Sequence, residues 1–140
     1  MTLPSTPLTT ALIALQFVAF GWRINRELSL ADHRKEGIKT WLPLPDRINI
    51  LSLLAVVFVC VVLPLVGYSF DKAANAVLSA GYSLIAFHPV SEAAHYRLFS
   101  EKGLSIYVKD ERPWVTDQEL VTVAFSLLVT LWVAFAGFSK

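Results

Sequence analysis

A single cysteine, Cys60, stands in 140 residues, so no internal disulfide can form and paired-thiolate metal motifs are excluded. Charge is scarce as well. Only 16% of residues are Asp, Glu, Lys or Arg, and Met1–Trp22, Ile48–Phe70 and Leu120–Phe138 contain none. A soluble domain of this length has to cover its surface with more polar groups than that. No Gly-rich phosphate loop and no Ser/His/Asp ordering is present. The apolar runs hold no Asp, Glu, Lys or Arg, which argues against a transporter coupled to protons or ions.

What remains is apolar length. The chain is 55% hydrophobic, with a mean hydropathy of +0.56. About 18 or more apolar residues are needed to cross roughly 30 Å of hydrocarbon, and all three uncharged runs satisfy this. A fourth stretch, Ala73–Val90, is more polar and carries Asn75, Ser79, Ser83 and His88. Its uncharged core reaches only about 22 Å at ~1.5 Å per residue, so it spans only with its ends included. The expected fold is all-α: an integral membrane four-helix bundle forming one domain over residues 1–140, with spans near 5–22, 48–68, 72–88 and 119–138.

Charge placement orients these spans. Ten of the twelve Lys and Arg residues lie in segments 23–47 and 89–118, leaving only Lys72 and Lys140 on the other side. Positive charge accumulates in cytoplasmic loops, so both termini are expected outside the cytoplasm. In a prokaryote the membrane would be the inner one. Met1–Leu8 lacks the basic residues that open a secretory signal, and Ala19-Phe20-Gly21 runs into Trp22-Arg23, so the first run reads as a retained span. Trp22, Trp41 and Trp114 fall at one boundary, where amphipathic rings are stable.

Local signals refine the boundaries. The first helix is expected to continue through Arg23–Glu36 until Gly37. Pro43 and Pro45 favour extended backbone, with Asp46 as N-cap of span two. Pro64 should bend or loosen that span near its end. Ala76/Ala80 and Ser79/Ser83, each pair four residues apart, allow close helix approach and mark span three as the inner helix. His88-Pro89 predicts a break, then a short interfacial helix to about Lys102, stopped by Gly103. Thr116 and Glu119 form a capping box for span four.

Two sets of residues have chemical potential. His88, Glu92 and His95 converge if residues 89–102 are helical, and imidazoles with a carboxylate can bind zinc or iron or relay protons. A single Glu-x-x-His falls short of a di-iron bundle's paired motif. The plainer reading is the polar face of an interfacial helix with His88 capping, so no metal and no cofactor is expected. The second set lies within the spans: Gln16, Asn75, Ser79, Thr122, Ser126 and Thr130. They can line a polar cavity, although hydroxyls and amides in lipid more often join helices, at roughly 1 kcal/mol each.

The four-span outline and the basic stretch Trp22-Arg23-Ile24-Asn25-Arg26 resemble the microsomal glutathione transferase superfamily in topology. The likeness stops there. The polar and acidic glutathione-binding positions that family carries in its second helix have no counterpart in Ile48–Gly67, which offers only Asn49 and Ser52. Three functions stay open. First is a structural or interaction subunit that self-associates or docks a membrane-protein partner through its cytoplasmic loops. Second is a membrane-embedded enzyme acting on an amphipathic substrate at the cytoplasmic interface. Third is an oligomeric pore. No nucleic-acid partner is expected, because acidic residues interleave with the basic ones in segment 23–47.

Overall fold

A computed structural model describes residues 6–34, 43–95 and 115–139. All secondary structure among them is helical: α1 (Thr6–Arg34), α2 (Leu44–Leu65), α3 (Asp71–His95) and α4 (Asp117–Phe138). Three segments, Thr6–Arg26, Leu44–Leu65 and Asp117–Phe138, are long and apolar enough to cross a membrane. α3 has 25 residues and sufficient length, but it is too polar for that measure. Its polarity follows from its position. α3 packs against all three other helices, most extensively against α4 and next against α2.

The apolar residues are arranged for a non-aqueous surround. The buried core is small, built from Leu12, Val56, Cys60, Ala74 and Leu78. Val18, Leu51, Leu54, Phe58, Phe125, Leu128, Leu131 and Phe135 point outward instead, with Leu128 and Phe135 68% and 72% exposed. Water would penalise that surface at about 25 cal/mol per Å², whereas acyl chains do not. The inward face of α4, by contrast, reads Glu119, Val123, Ser126, Thr130 and Gly137, polar or small at most positions.

Glycine sets the closest approaches. A Cβ on Gly81 of α3 would stand 2.6 Å from Leu12 of α1 and 3.3 Å from Val56 of α2. On Gly137 of α4 it would stand 2.9 Å from the Asn75 carbonyl oxygen and 2.7 Å from Ser79 Oγ. Ser79 therefore belongs to the small-residue contact between α3 and α4, which Gly137 completes, while Gly81 lets α3 approach α1 and α2.

Several local expectations need correction. Pro43, the N-cap, is extended at φ −54° and ψ 159°, but Pro45 does not prolong that conformation and occupies the first turn of α2. Proline fits there because first-turn amides have no helical acceptor to lose. Asp46 is inside the helix and does not cap it; its carboxylate is turned to other helices. The predicted break at His88-Pro89 is also absent, since α3 runs through Pro89 to His95. An internal proline costs about 3 kcal/mol. Burial of His88, Ser91, Glu92, Ala94 and His95 on either side holds the turn in place. The separate interfacial helix is thus replaced, up to His95, by a continuation of α3.

Pro64 acts as expected, and the means is specific. Residues Phe58–Val62 form a π-helical turn in which the Leu63 amide reaches Phe58 O, one residue further than in an α-helix. Just beyond, the Gly67 amide donates to Pro64 O and the Tyr68 amide to Leu63 O, with Gly67 at φ 89°. That is a Schellman C-cap, and it turns the chain toward α3. The capping box is present at the start of α4: Thr116 Oγ1 accepts from the Glu119 amide, and Glu119 accepts from the Thr116 amide. Gly37, Trp41, Gly103, Trp114 and the remainder of the 96–102 helix lie outside the described residues.

Because the Asn75 backbone cannot withdraw, Gly137→Ala should destabilise the protein by about 1–3 kcal/mol. Gly21→Ala, where a Cβ meets nothing within 4 Å, should be neutral or slightly stabilising. Thermal unfolding of both variants in detergent measures the difference.

Candidate functional site

Near the ends of α2, α3 and α4 that adjoin segments 35–42 and 96–114, and around Arg23, eleven residues before the end of α1, lies a buried ionisable cluster. α1 contributes Arg23, α2 Asp46, α3 His88, Glu92 and His95, and α4 Glu119. None of these side chains is more than 8% exposed. On α3 the spacing does the placing: Glu92 lies four residues after His88 and three before His95, so all three share one helix face.

Asp46 lies at the centre. Its Oδ2 accepts from Arg23 Nε at 3.1 Å, and its Oδ1 lies 3.0 Å from His88 Nε2. One carboxylate thereby joins α1, α2 and α3. A second junction forms around Glu119, whose Oε1 accepts the Leu44 amide at 3.0 Å while its Oε2 lies 2.8 Å from His95 Nδ1. Leu44 is the first residue of α2, so Glu119 takes up an amide that the helix itself leaves unbonded. Thr116 closes the same junction by donating to the Ala94 carbonyl at 2.9 Å.

Glu92 differs from its neighbours. It is 5% exposed, and neither of its oxygens has a hydrogen-bond partner among the described residues. Arg23 Nε is 4.0 Å from its Oε2, an ion-pair distance but too long for a hydrogen bond. Glu92 lies a turn beyond the segment read as span three. Burial pushes its carboxyl above the ordinary range, and the nearby Asp46 carboxylate pushes the same way, against Arg23, His88 and His95. One ligand atom from each of Asp46, His88 and Glu92 lies within 4.8 Å of the other two.

The expected triad of His88, Glu92 and His95 is therefore gathered in one place, but not on an exposed interfacial face. His88 does not cap a helix; it meets Asp46. Arg23, Asp46 and Glu119 were absent from the expected site because each had a sufficient local role, as loop charge, N-cap and capping box. One signal pointed to them: all three fall within a turn of a span end on the same side as His88 and Glu92.

Of the six polar residues within the spans, Gln16 and Thr130 join helices by hydrogen bonds. Gln16 is fully buried and donates through Nε2 to Ser52 Oγ at 3.0 Å, linking α1 to α2. Thr130 donates to Ser83 at 3.0 Å, linking α4 to α3. Thr122 turns its hydroxyl back to Gln118 O and Glu119 O of its own helix, and Ser126 is buried. The Thr122/Ser126/Thr130 stripe thus faces helix or its own backbone and lines no channel among the described residues. Asn75 and Ser79 border a partly open, mainly apolar hollow of about 440 Å³ with Leu8, Tyr82 and Trp132, in the opposite half of the molecule.

No family model, curated protein or solved structure matches this chain. The reading of the cluster accordingly rests on its geometry.

Asp46→Asn removes the charge that balances Arg23 in a buried setting and should cost about 3 kcal/mol. Glu92→Gln gives up no hydrogen bond and should leave the melting temperature unchanged or raised. Thermal melts of the two variants beside wild type test this asymmetry, and equal destabilisation would contradict it.

Proposed function

We propose that this chain is a four-span integral membrane protein with both termini outside the cytoplasm, and that it is a membrane-embedded enzyme acting on an amphipathic substrate at the cytoplasmic boundary. Buried Glu92, without a hydrogen-bond donor beside His88 and Asp46, carries the second part. Helices can be joined in lipid at little cost by small residues and neutral hydrogen bonds, as at Gly81, Gly137 and Gln16–Ser52. Burying an ionisable side chain costs several kcal/mol. Asp46 and Glu119 offset that cost by tying helices together with hydrogen bonds, whereas Glu92 forms none among the described residues and has only Arg23 at 4.0 Å. Ionisable groups at such depth mark sites of chemistry.

The arrangement supplies what acid–base chemistry needs. Asp46–His88 and Glu119–His95 are two carboxylate–imidazole pairs on one helix end, and a carboxylate fixes the orientation of the ring it holds. A substrate with a polar head and an apolar body would present its head at this level, with the body lying along the outward-facing Leu and Phe side chains. The structural-subunit reading keeps one observation in its favour, the hollow beside Tyr82 and Trp132, where a partner helix could insert a side chain.

Two measurements test the proposal. A reporter active only outside the cytoplasm, fused after Lys140, should be active; activity only inside would overturn the topology. Lipid and amphiphile profiles of cells making wild-type protein should differ from those making equal amounts of Glu92→Gln. Identical profiles would rule out the enzyme.

A further inference from the structure

The charges of the cluster do not balance by themselves. Among the buried charged side chains of the described residues, Asp46, Glu92 and Glu119 face one guanidinium, Arg23, an excess of two negative charges when all three carboxyls are ionised and both imidazoles are neutral. A buried charge must be paired or coordinate a metal. Glu119 is satisfied by the Leu44 and Thr116 amides and His95, and Asp46 by Arg23 and His88. Glu92 has no hydrogen bond among the described residues, only Arg23 Nε at 4.0 Å. The least compensated carboxyl among the described residues is therefore Glu92, next to His88 Nε2 and Asp46 Oδ1.

We propose that Asp46, His88 and Glu92 bind one divalent first-row transition-metal ion, which serves the enzyme proposed above and so rests on that reading for its role, but not for its existence. His88 Nε2 and Asp46 Oδ1 are 3.0 Å apart. Two ligands about 2.1 Å from one ion and at right angles to each other stand about 3 Å apart, so this pair is already spaced as an edge of a coordination shell. Glu92 has no hydrogen bond to give up and can close on the ion by rotating its carboxylate. The set comes from two helices, α2 and α3, and is supported from outside. Arg23 holds the other Asp46 oxygen, as groups behind a ligand commonly do. Imidazole and carboxylates without thiolate suit zinc, manganese or iron. Cys60 takes no part, lying about 21 Å further along α2. Three protein ligands leave a coordination position for water or a substrate oxygen, the pattern of a catalytic site and not of a closed structural one. One divalent ion also returns the buried charge to neutral.

Full-length protein in detergent, treated with a chelator and titrated with Co(II), should take up one equivalent with visible ligand-field absorption that Zn(II) displaces. Glu92→Gln should weaken uptake at least about tenfold, the smaller end of the loss seen when supporting groups are removed. It should still melt like metal-free wild type. His88→Ala should weaken uptake similarly, and Cys60→Ser should leave it unchanged. No uptake by folded wild type, uptake retained in Glu92→Gln, or uptake abolished by Cys60→Ser would each overturn the proposal. Amphiphile profiles that depend on Glu92 without metal uptake would remove the ion and leave the enzyme. Metal uptake with profiles indifferent to Glu92 would do the reverse.

Discussion

Asp46 accepts from Arg23 of α1 and meets His88 of α3 while standing in the first turn of α2, and the rest of the molecule is arranged around that contact. Its importance comes from the solvent. In hydrocarbon a polar group without a partner has no water to fall back on, so every charged side chain near the membrane must find its complement within the protein. Arg23 needs Asp46, Asp46 fixes His88, and fixing His88 holds the lower turn of α3 helical through Pro89. Glu119 repeats the device one helix further on, joining the start of α2 to the end of α3.

Two kinds of adhesion hold the helices, and they are spatially separated. Toward the end bearing the cluster, contact is made by ion pairs and charged hydrogen bonds. Through the middle and the other half, it is made by close backbone approach at Gly81 and Gly137, neutral hydrogen bonds such as Thr130–Ser83, and a small apolar core. The second kind is enough for assembly in lipid. The first adds constraint at a cost, and Glu92 adds cost with no hydrogen bond among the described residues. That imbalance is why the cluster reads as a working site.

α3 illustrates how a sequence can mislead about its own boundaries. His88-Pro89 has the local form of a helix start, and by propensity alone the chain should break there. The cost of an internal proline is local, whereas the gains that offset it come from α1, α2 and α4. No window on the chain contains them. The same holds for Asp46. Next to two prolines it has every local mark of an N-cap, but a carboxylate that meets a buried guanidinium and an imidazole is better stabilised than one accepting first-turn amides. Where signals were complete within one turn, as in Thr116–Glu119 or in Pro64 with its loosened turn, the sequence sufficed.

The sequence by itself determined that these helices are apolar outside and that ten of the twelve Lys and Arg residues lie in two segments, because both follow from composition along the chain. It also placed His88, Glu92 and His95 on one face, through the fixed helical repeat. Only the tertiary structure decided that Arg23, Asp46 and Glu119 join them out of contact with water. That grouping spans 97 positions of chain, from Arg23 to Glu119. It depends on how four helices meet, which packing settles and no local spacing encodes.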